Sequence, residues 1–111
     1  TNYLTEEAVK STFSFISKFA QNSCVIFTYV HKEILHNPEL FLGGEKLLKD
    51  LEKLEEHWTF GFMPNELSMY LNQFNIQLLE DLGADDYRNK YLLNRSVKGY
   101  EFYRTAIGVK K

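Results

Sequence analysis

The chain has 111 residues, of which 44% are hydrophobic and 15% aromatic, and its formal net charge at pH 7 is −2. This length suits one domain with a modest core, and the aromatic content excludes a disordered chain. Because basic residues occur only as short scattered pairs, we expect no nucleic-acid partner. No apolar run approaches the ~20 residues of a membrane span, and the opening TNYLTEEAV is polar and acidic, so we expect neither a membrane partner nor a signal peptide.

The chain's single cysteine, Cys24, cannot form an internal disulfide, which favours a reducing, cytoplasmic setting. The sequon Asn94-Arg95-Ser96 is therefore expected to be incidental. Because the first residue is Thr1 and not Met, we expect residues 1–111 to form a single domain or part of one within a longer chain, although processing would give the same start.

The first half of the chain predicts a helix, a strand and a second helix. Residues 5–20 predict an amphipathic helix that Thr5 caps. The continuous apolar run CVIFTYV, residues 24–30, is typical of a strand buried on both faces of a parallel sheet. HNPELFLGG predicts a loop that ends at a helix start, Gly43-Gly44, and the leucine stripe of residues 45–56 predicts a surface helix.

The second half predicts a helix and two strands joined by a polar segment. Pro64 stands where helices begin, and apolar residues follow it at helical spacing up to Phe74. Residues 75–82 and 101–109 predict strands, and the polar stretch between them predicts some helix. The predicted order is helix, strand, helix, helix, strand, helix, strand.

The stretch CVIFTYVHKEILH carries the cysteine and two of the three histidines, which raises the question of a metal site. His31 and His36 are five residues apart, about 140° round a helix, and Glu33 is misplaced for a metalloprotease motif. We therefore predict no metal site. Cys24 is interpreted as a small core residue, with a nucleophilic role as the alternative. His57 and Trp58 belong to an aromatic connector that predicts core packing or a hinge, with the wall of an apolar pocket as the alternative.

Three segments together resemble a known family: TNYLTEEAV, FISKFAQNSCVIFTYV and EHWTFGFMPNELSMYLNQFNIQLLEDLGADDYRNKYL. They are similar to the C-terminal half of S-adenosylmethionine-dependent methyltransferases of the subgroup that contains leucine carboxyl methyltransferase and polyketide-type O-methyltransferases. The resemblance runs from Asn2 to Val109. The chain departs from the family pattern at Thr28, where an aspartate is common.

The resemblance implies an α/β fold: the C-terminal part of a Rossmann-like class I methyltransferase, with three strands of a mixed sheet and flanking helices. The strands would be the fifth, sixth and seventh of seven, with residues 75–82 antiparallel to residues 101–109. It also implies S-adenosylmethionine as the cofactor, bound mainly by an N-terminal half that lies outside this chain. We accordingly assign no cofactor-binding residue here.

Ligands of open α/β sheets lie beyond the carboxyl ends of the parallel strands. On the placement that the resemblance implies, five residues are candidates for a substrate-side wall: Asn2, Tyr3, Tyr29, His31 and Trp58. Packing or surface roles for each of them remain the alternative, and no catalytic residue is assigned.

The resemblance implies transfer of a methyl group to a carboxylate or hydroxyl of a small molecule or peptide. The alternative is a non-catalytic remnant or interaction domain that keeps only the C-terminal sheet and helices. In either case, strand 24–30 would lack its fourth-strand neighbour. We therefore expect a full row of unpaired backbone groups along this strand and self-association through it.

Overall fold

The computed structural model describes residues 1–94 and 98–111, so Arg95 and Ser96 of the sequon lie outside the described residues. Within the described part, four α-helices and three strands form a small α/β domain. The elements are α1 (Glu6–Ile16), β1 (Cys24–Val30), α2 (Gly44–Lys53), α3 (Pro64–Asn72), β2 (Ile76–Leu82), α4 (Ala84–Tyr91) and β3 (Tyr103–Lys110), with two short 3-10 helices at Lys32–Leu35 and Pro38–Leu40. No helix in the described part is long and apolar enough to cross a membrane.

The three strands form one sheet in the order β1-β3-β2, and both neighbouring pairs are antiparallel. The predicted antiparallel pairing of residues 75–82 with residues 101–109 is present. The expectation of a mixed sheet is not met by these strands, because the two that run in the same direction, β1 and β2, are separated by β3.

Helix α1 is shorter than the predicted 5–20. Thr5 caps it as expected, since its hydroxyl accepts a hydrogen bond from the Ala8 N–H at 3.2 Å. The helix ends at Ile16 because Ser17 competes for its carbonyls: the Ser17 hydroxyl donates to the Ser14 carbonyl at 2.6 Å.

Helix α2 begins at the predicted glycine pair and ends at Lys53, three residues before the predicted end. Gly43 has φ of 76°, a left-handed conformation that costs glycine little. A Cβ on Gly43 would also overlap the ring of Tyr100, so the turn into α2 depends on this glycine.

Two hydrophobic clusters cover opposite faces of the sheet, as neighbouring residues of β1 show. Tyr29 belongs to the first cluster, with Phe13 of α1 and Leu67 of α3. Val30 belongs to the second cluster, with Trp58. Successive residues of a strand point to opposite faces, so the two clusters lie on opposite faces. The first lies under α1 and α3, and the second lies under α2 and the segments at Ile34 and Trp58.

Strand β1 is not buried on both faces, contrary to the prediction from its continuous apolar run. Cys24, Ile26 and Thr28 are exposed, and Ile26 is 66% exposed. β1 is an edge strand, and the second cluster covers its second face only at the Val30 end. Cys24 is therefore not a core residue, and that interpretation is wrong.

The outer edge of β1 is only partly open, whereas a full row of unpaired groups was expected. In β1 the backbone groups of the odd-numbered residues are hydrogen-bonded to β3. The bonds that flank the strand follow the same pattern: the Ser23 carbonyl accepts from the Lys110 N–H, and the His31 N–H donates to the Phe102 carbonyl. The backbone N–H and C=O groups of the even-numbered residues therefore point away from β3. The Thr28 carbonyl accepts from the Thr1 amino group at 3.0 Å, and the Val30 carbonyl accepts from the Phe62 N–H at 3.1 Å. The outward groups of Cys24 and Ile26 have no partner among the described residues.

Candidate functional site

One side chain from each strand joins a hydrogen-bonded network where β1 and β2 end. The Tyr29 hydroxyl donates to Asp81 Oδ2 at 2.7 Å. Arg104 Nε donates to Asp81 Oδ1 at 3.1 Å and to the Tyr29 oxygen at 3.0 Å. The strand network of Tyr29, Asp81 and Arg104 thus ties both outer strands to β3, near the carboxyl ends of β1 and β2.

Burial and charge fix the protonation of this network. Burial raises the pKa of the Tyr29 hydroxyl far above its ordinary value, and the hydrogen bond to Asp81 raises it further. Burial acts to lower the pKa of Arg104, but the charge and hydrogen bond of Asp81 outweigh it, and the pKa of Arg104 is raised. At neutral pH Tyr29 is therefore a neutral donor and Arg104 a cation. The network orients the strand ends and offers no general base through Tyr29.

His31 follows β1 directly and is held as a neutral imidazole. Its Nδ1 accepts a hydrogen bond from the Glu33 N–H at 3.2 Å, which places the ring proton on Nε2. Burial lowers the pKa of His31, and the positive charge of Arg104 lowers it further. The ring packs against Phe41, with 5.2 Å between centroids.

Trp58 is the centre of an aromatic group on the second face of the sheet. Its ring centroid lies 6.1 Å from that of Tyr3, 5.4 Å from that of Tyr103 and 6.2 Å from that of Phe102. Trp58 is 8% exposed, and its indole Nε1 has no hydrogen-bond partner among the described residues. A buried donor without a partner costs about 1–3 kcal/mol, so an acceptor placed there would stabilise the site.

A cavity of about 430 Å³ lies beside Trp58 and is also lined by Lys32, His36 and Gly61. Gly61 brings the connector close to the end of β1: a Cβ there would lie 2.7 Å from the Val30 carbonyl oxygen. The volume suits a small molecule. Trp58 is the one predicted wall residue among those that line this cavity.

The five predicted wall residues fall into separate groups. Tyr3 and Trp58 are in contact on the second face. Tyr29 and His31 both experience the charge of Arg104 at the end of β1. Asn2 is buried, next to the bond that Thr1 makes with Thr28. Of the five, Trp58 is the residue that lines the cavity of about 430 Å³.

Sequence reasoning missed Asp81 and Arg104, which complete the strand network. One signal was available: Arg104 is a charged residue in the middle of the predicted strand EFYRTAIGV, between Tyr103 and Thr105, and a charge inside a strand that packs on a core needs a partner. Nothing in the local sequence points to Asp81 as that partner, because it lies 23 residues away in the chain.

The residues of this chain do not fit an S-adenosylmethionine site. The sequence has no glycine-rich turn between a strand and a helix. Asp81, the acid near the end of β2, is already engaged by Tyr29 and Arg104. Among the residues that the structure describes, no group of three His, Cys, Asp or Glu side chains is placed to hold a metal ion.

Comparisons of the chain with protein-family models, with curated proteins and with solved structures found no match.

Proposed function

We propose that the chain is the C-terminal part of a cytoplasmic class I S-adenosylmethionine-dependent O-methyltransferase that transfers a methyl group to a carboxylate or hydroxyl. The observation that carries the proposal is the sheet: β1 and β2 run in the same direction on either side of β3, which is antiparallel to both. This order and these directions are what the resemblance implies for the fifth, seventh and sixth strands of the family's sheet.

The outer edge of β1 supports the same proposal. Cys24 and Ile26 have unpaired outward backbone groups where the family's fourth strand would pair. Thr1 lies at the other end of this edge, bonded to Thr28. The residues present here would supply the acceptor side of the site, with Trp58 against the 430 Å³ cavity. Cofactor binding would belong to the N-terminal half.

The first test is the coding sequence that precedes Thr1. The proposal requires a glycine-rich turn after a strand and an acidic residue at the end of the next strand, roughly one hundred residues upstream. A preceding sequence without these two features would overturn the cofactor assignment.

The second test is Trp58→Phe in the full-length protein. The variant should raise the acceptor KM and leave S-adenosylmethionine affinity unchanged, because Trp58 lines the cavity and the cofactor lies elsewhere. Leu71→Val is the matched control: Leu71 is fully buried but lines none of the described cavities, so this variant should lose stability with KM unchanged. If both variants change KM equally, Trp58 is a packing residue.

The open part of the β1 edge favours a second candidate, a non-catalytic interaction domain. On this alternative another chain occupies the edge at Cys24 and Ile26 permanently. Measurement of cofactor binding by the full-length protein separates the two, since an interaction domain would bind no S-adenosylmethionine.

A further inference from the structure

Two adjoining cavities follow the connector of residues 57–63. The larger has a volume of about 430 Å³ and the smaller about 140 Å³. Glu6, Lys32, Phe60 and Gly61 line both of them. We call this pair of cavities the connector groove. Of its two cavities, Trp58 lines the larger and Tyr70 the smaller.

One side chain of each cavity, Trp58 in the larger and Tyr70 in the smaller, carries a buried polar atom without a partner. In the described part of the chain, two buried side-chain polar atoms lack a hydrogen-bond partner: Trp58 Nε1 and the Tyr70 hydroxyl oxygen. Buried polar groups are normally paired in folded proteins. Both exceptions belong to side chains that line the connector groove.

The connector itself has spare hydrogen-bonding capacity. Between His57 and Gly61 no backbone N–H donates, and no carbonyl accepts, a backbone hydrogen bond from the described residues. The segment is not helical and joins β-type pairing only at Phe62, which bridges to His31. Its amides and carbonyls are therefore available to a ligand that has both donors and acceptors.

Opposite charges flank the same apolar surface. Glu6 and Lys32 line both cavities, with the Phe60 ring as their apolar neighbour. Neither charged side chain has an ion-pair partner among the described residues. His36 adds a basic group to the larger cavity, and Glu66 adds an acid to the smaller one. Burial raises the pKa of the Tyr70 hydroxyl, and the negative charge of Glu6 raises it further.

We propose that the connector groove binds a small zwitterion with an apolar side chain, namely a free amino acid or a dipeptide. Its carboxylate pairs with Lys32, its ammonium group pairs with Glu6, and its side chain packs on Phe60 and Trp58. A simple anion would leave Glu6 opposed to it, and a simple cation would leave Lys32 opposed to it, so a ligand with both charges fits best. The larger cavity of the groove is the one proposed above for the methyl acceptor, so this inference names the ligand class of that same site and in that respect rests on the proposed function.

Trp58 is the only tryptophan of the chain, so its indole N–H gives a single resonance that reports on the groove. The experiment titrates the 111-residue chain with L-phenylalanine, L-leucine and the dipeptide Phe-Gly. Concentrations reach about 10 mM, because a ligand with so few atoms is expected to bind with a dissociation constant of about 1 mM. At least one of the three should shift the indole resonance saturably.

Two variants and two analogues test the charges. Glu6→Gln and Lys32→Met should each weaken binding about tenfold or more, since each removes a charge-assisted hydrogen bond. Glu7→Gln and Lys49→Met are the matched controls, because these exposed residues line neither cavity. N-acetyl-L-phenylalanine lacks the ammonium group and L-phenylalaninamide lacks the carboxylate, so both should bind about tenfold more weakly than L-phenylalanine.

The result that supports the proposal is saturable binding that both charged variants weaken and both controls preserve, with amide spectra showing that all four fold. An indole resonance that no probe moves overturns the proposal. So does binding that Glu6→Gln and Lys32→Met leave unchanged. A failure here leaves the cofactor-binding test of the full-length protein unaffected, so the two proposals are judged separately.

Discussion

Arg104 Nε lies 3.1 Å from Asp81 Oδ1, and the two side chains are 18% and 13% exposed. A bulge in β2 brings them together. Leu78 pairs with Gly108, but Glu80 pairs with Ile107, so one extra residue, Leu79, lies between them. A shift of one residue moves every following side chain to the other face of a strand. The bulge therefore turns Asp81 to the face of the sheet that carries Arg104.

Breaking this ion pair should destabilise the fold. Asp81→Asn or Arg104→Met leaves the remaining partner largely buried without its counter-charge, which should cost about 2–4 kcal/mol in the free energy of unfolding. The double variant should lose less than the sum of the two single variants, because the partners are in contact. Urea denaturation measures all three. Lys46→Met, which removes an exposed pair with Asp50, should change little, and an equal loss there would remove the special role of the strand network.

The variant Tyr29→Phe tests how much the hydrogen bond from the neutral Tyr29 hydroxyl to Asp81 stabilises the fold. Loss of the hydroxyl should cost about 1–3 kcal/mol at pH 7, because Asp81 loses a buried hydrogen bond. The folded-state pKa of Tyr29 lies above its ordinary value of 10.0. Its contribution to stability is therefore fully present below pH 10.0 and is lost as the pH rises towards the folded-state pKa. Denaturation curves on both sides of pH 10.0 should show a steeper alkaline loss for the parent chain than for Tyr29→Phe.

The order of the elements could be predicted from the sequence, and much of the sheet geometry could not. Apolar spacing, the cap residue Thr5 and a proline at the first helical position, Pro64, are local signals, so the predicted helix ends differ from the observed ones by only a few residues. The run CVIFTYV gave no sign that Ile26 faces solvent, because continuous apolar strands are typical of sheets covered on both faces. Whether a strand face is exposed depends on which helices and connectors pack against it, and the sequence of the strand does not contain that information.

The candidate site was predicted in part for the same reason. Trp58 was identified because an aromatic connector is visible in the sequence, and it does line a cavity. Asp81 was missed because its orientation depends on the bulge at Leu79, and no local pattern in IQLLEDL marks that insertion. Side chains that meet through register are found only when the pairing of the strands is known.

His31 should titrate below its ordinary pKa of 6.5. Burial disfavours the charged ring, Arg104 repels it, and protonation of Nδ1 would end the bond from the Glu33 N–H. With a lowered folded-state pKa, stability is fully present above pH 6.5 and falls as the pH drops towards the folded-state value, because the unfolded chain takes up the proton first. Histidine resonances followed by NMR give the pKa directly. His31→Asn keeps a side-chain acceptor at this cap and should remove this part of the acid sensitivity.

The isolated 111-residue chain should not bind S-adenosylmethionine with useful affinity. Its sequence has no glycine-rich turn, and Asp81 is held by two protein donors. Titration calorimetry is the measurement. A micromolar or tighter dissociation constant would show that cofactor-binding residues are present in this chain after all.

The open part of the β1 edge leads to the last prediction, self-association of the isolated chain. Antiparallel pairing of two copies about an axis at Ile26 would place Cys24 of one copy opposite Thr28 of the other and satisfy the outward groups of Cys24 and Ile26. The Thr28 carbonyl would then accept from the Cys24 N–H of the second copy in place of Thr1. Light scattering with size exclusion should therefore show a concentration-dependent dimer or larger species. Ile26→Lys should shift the chain to the monomer, since a charge on an edge strand opposes pairing.

Thr28→Cys should form disulfide dimers with the native Cys24 of the second copy, because Cα atoms opposite each other in such a pair are about 5.5 Å apart. Thr28→Cys combined with Cys24→Ser is the control and should form far fewer. A 13.1 kDa monomer at every concentration, with the amides of Cys24 and Ile26 protected from exchange, would contradict the prediction and mean that this edge is already covered.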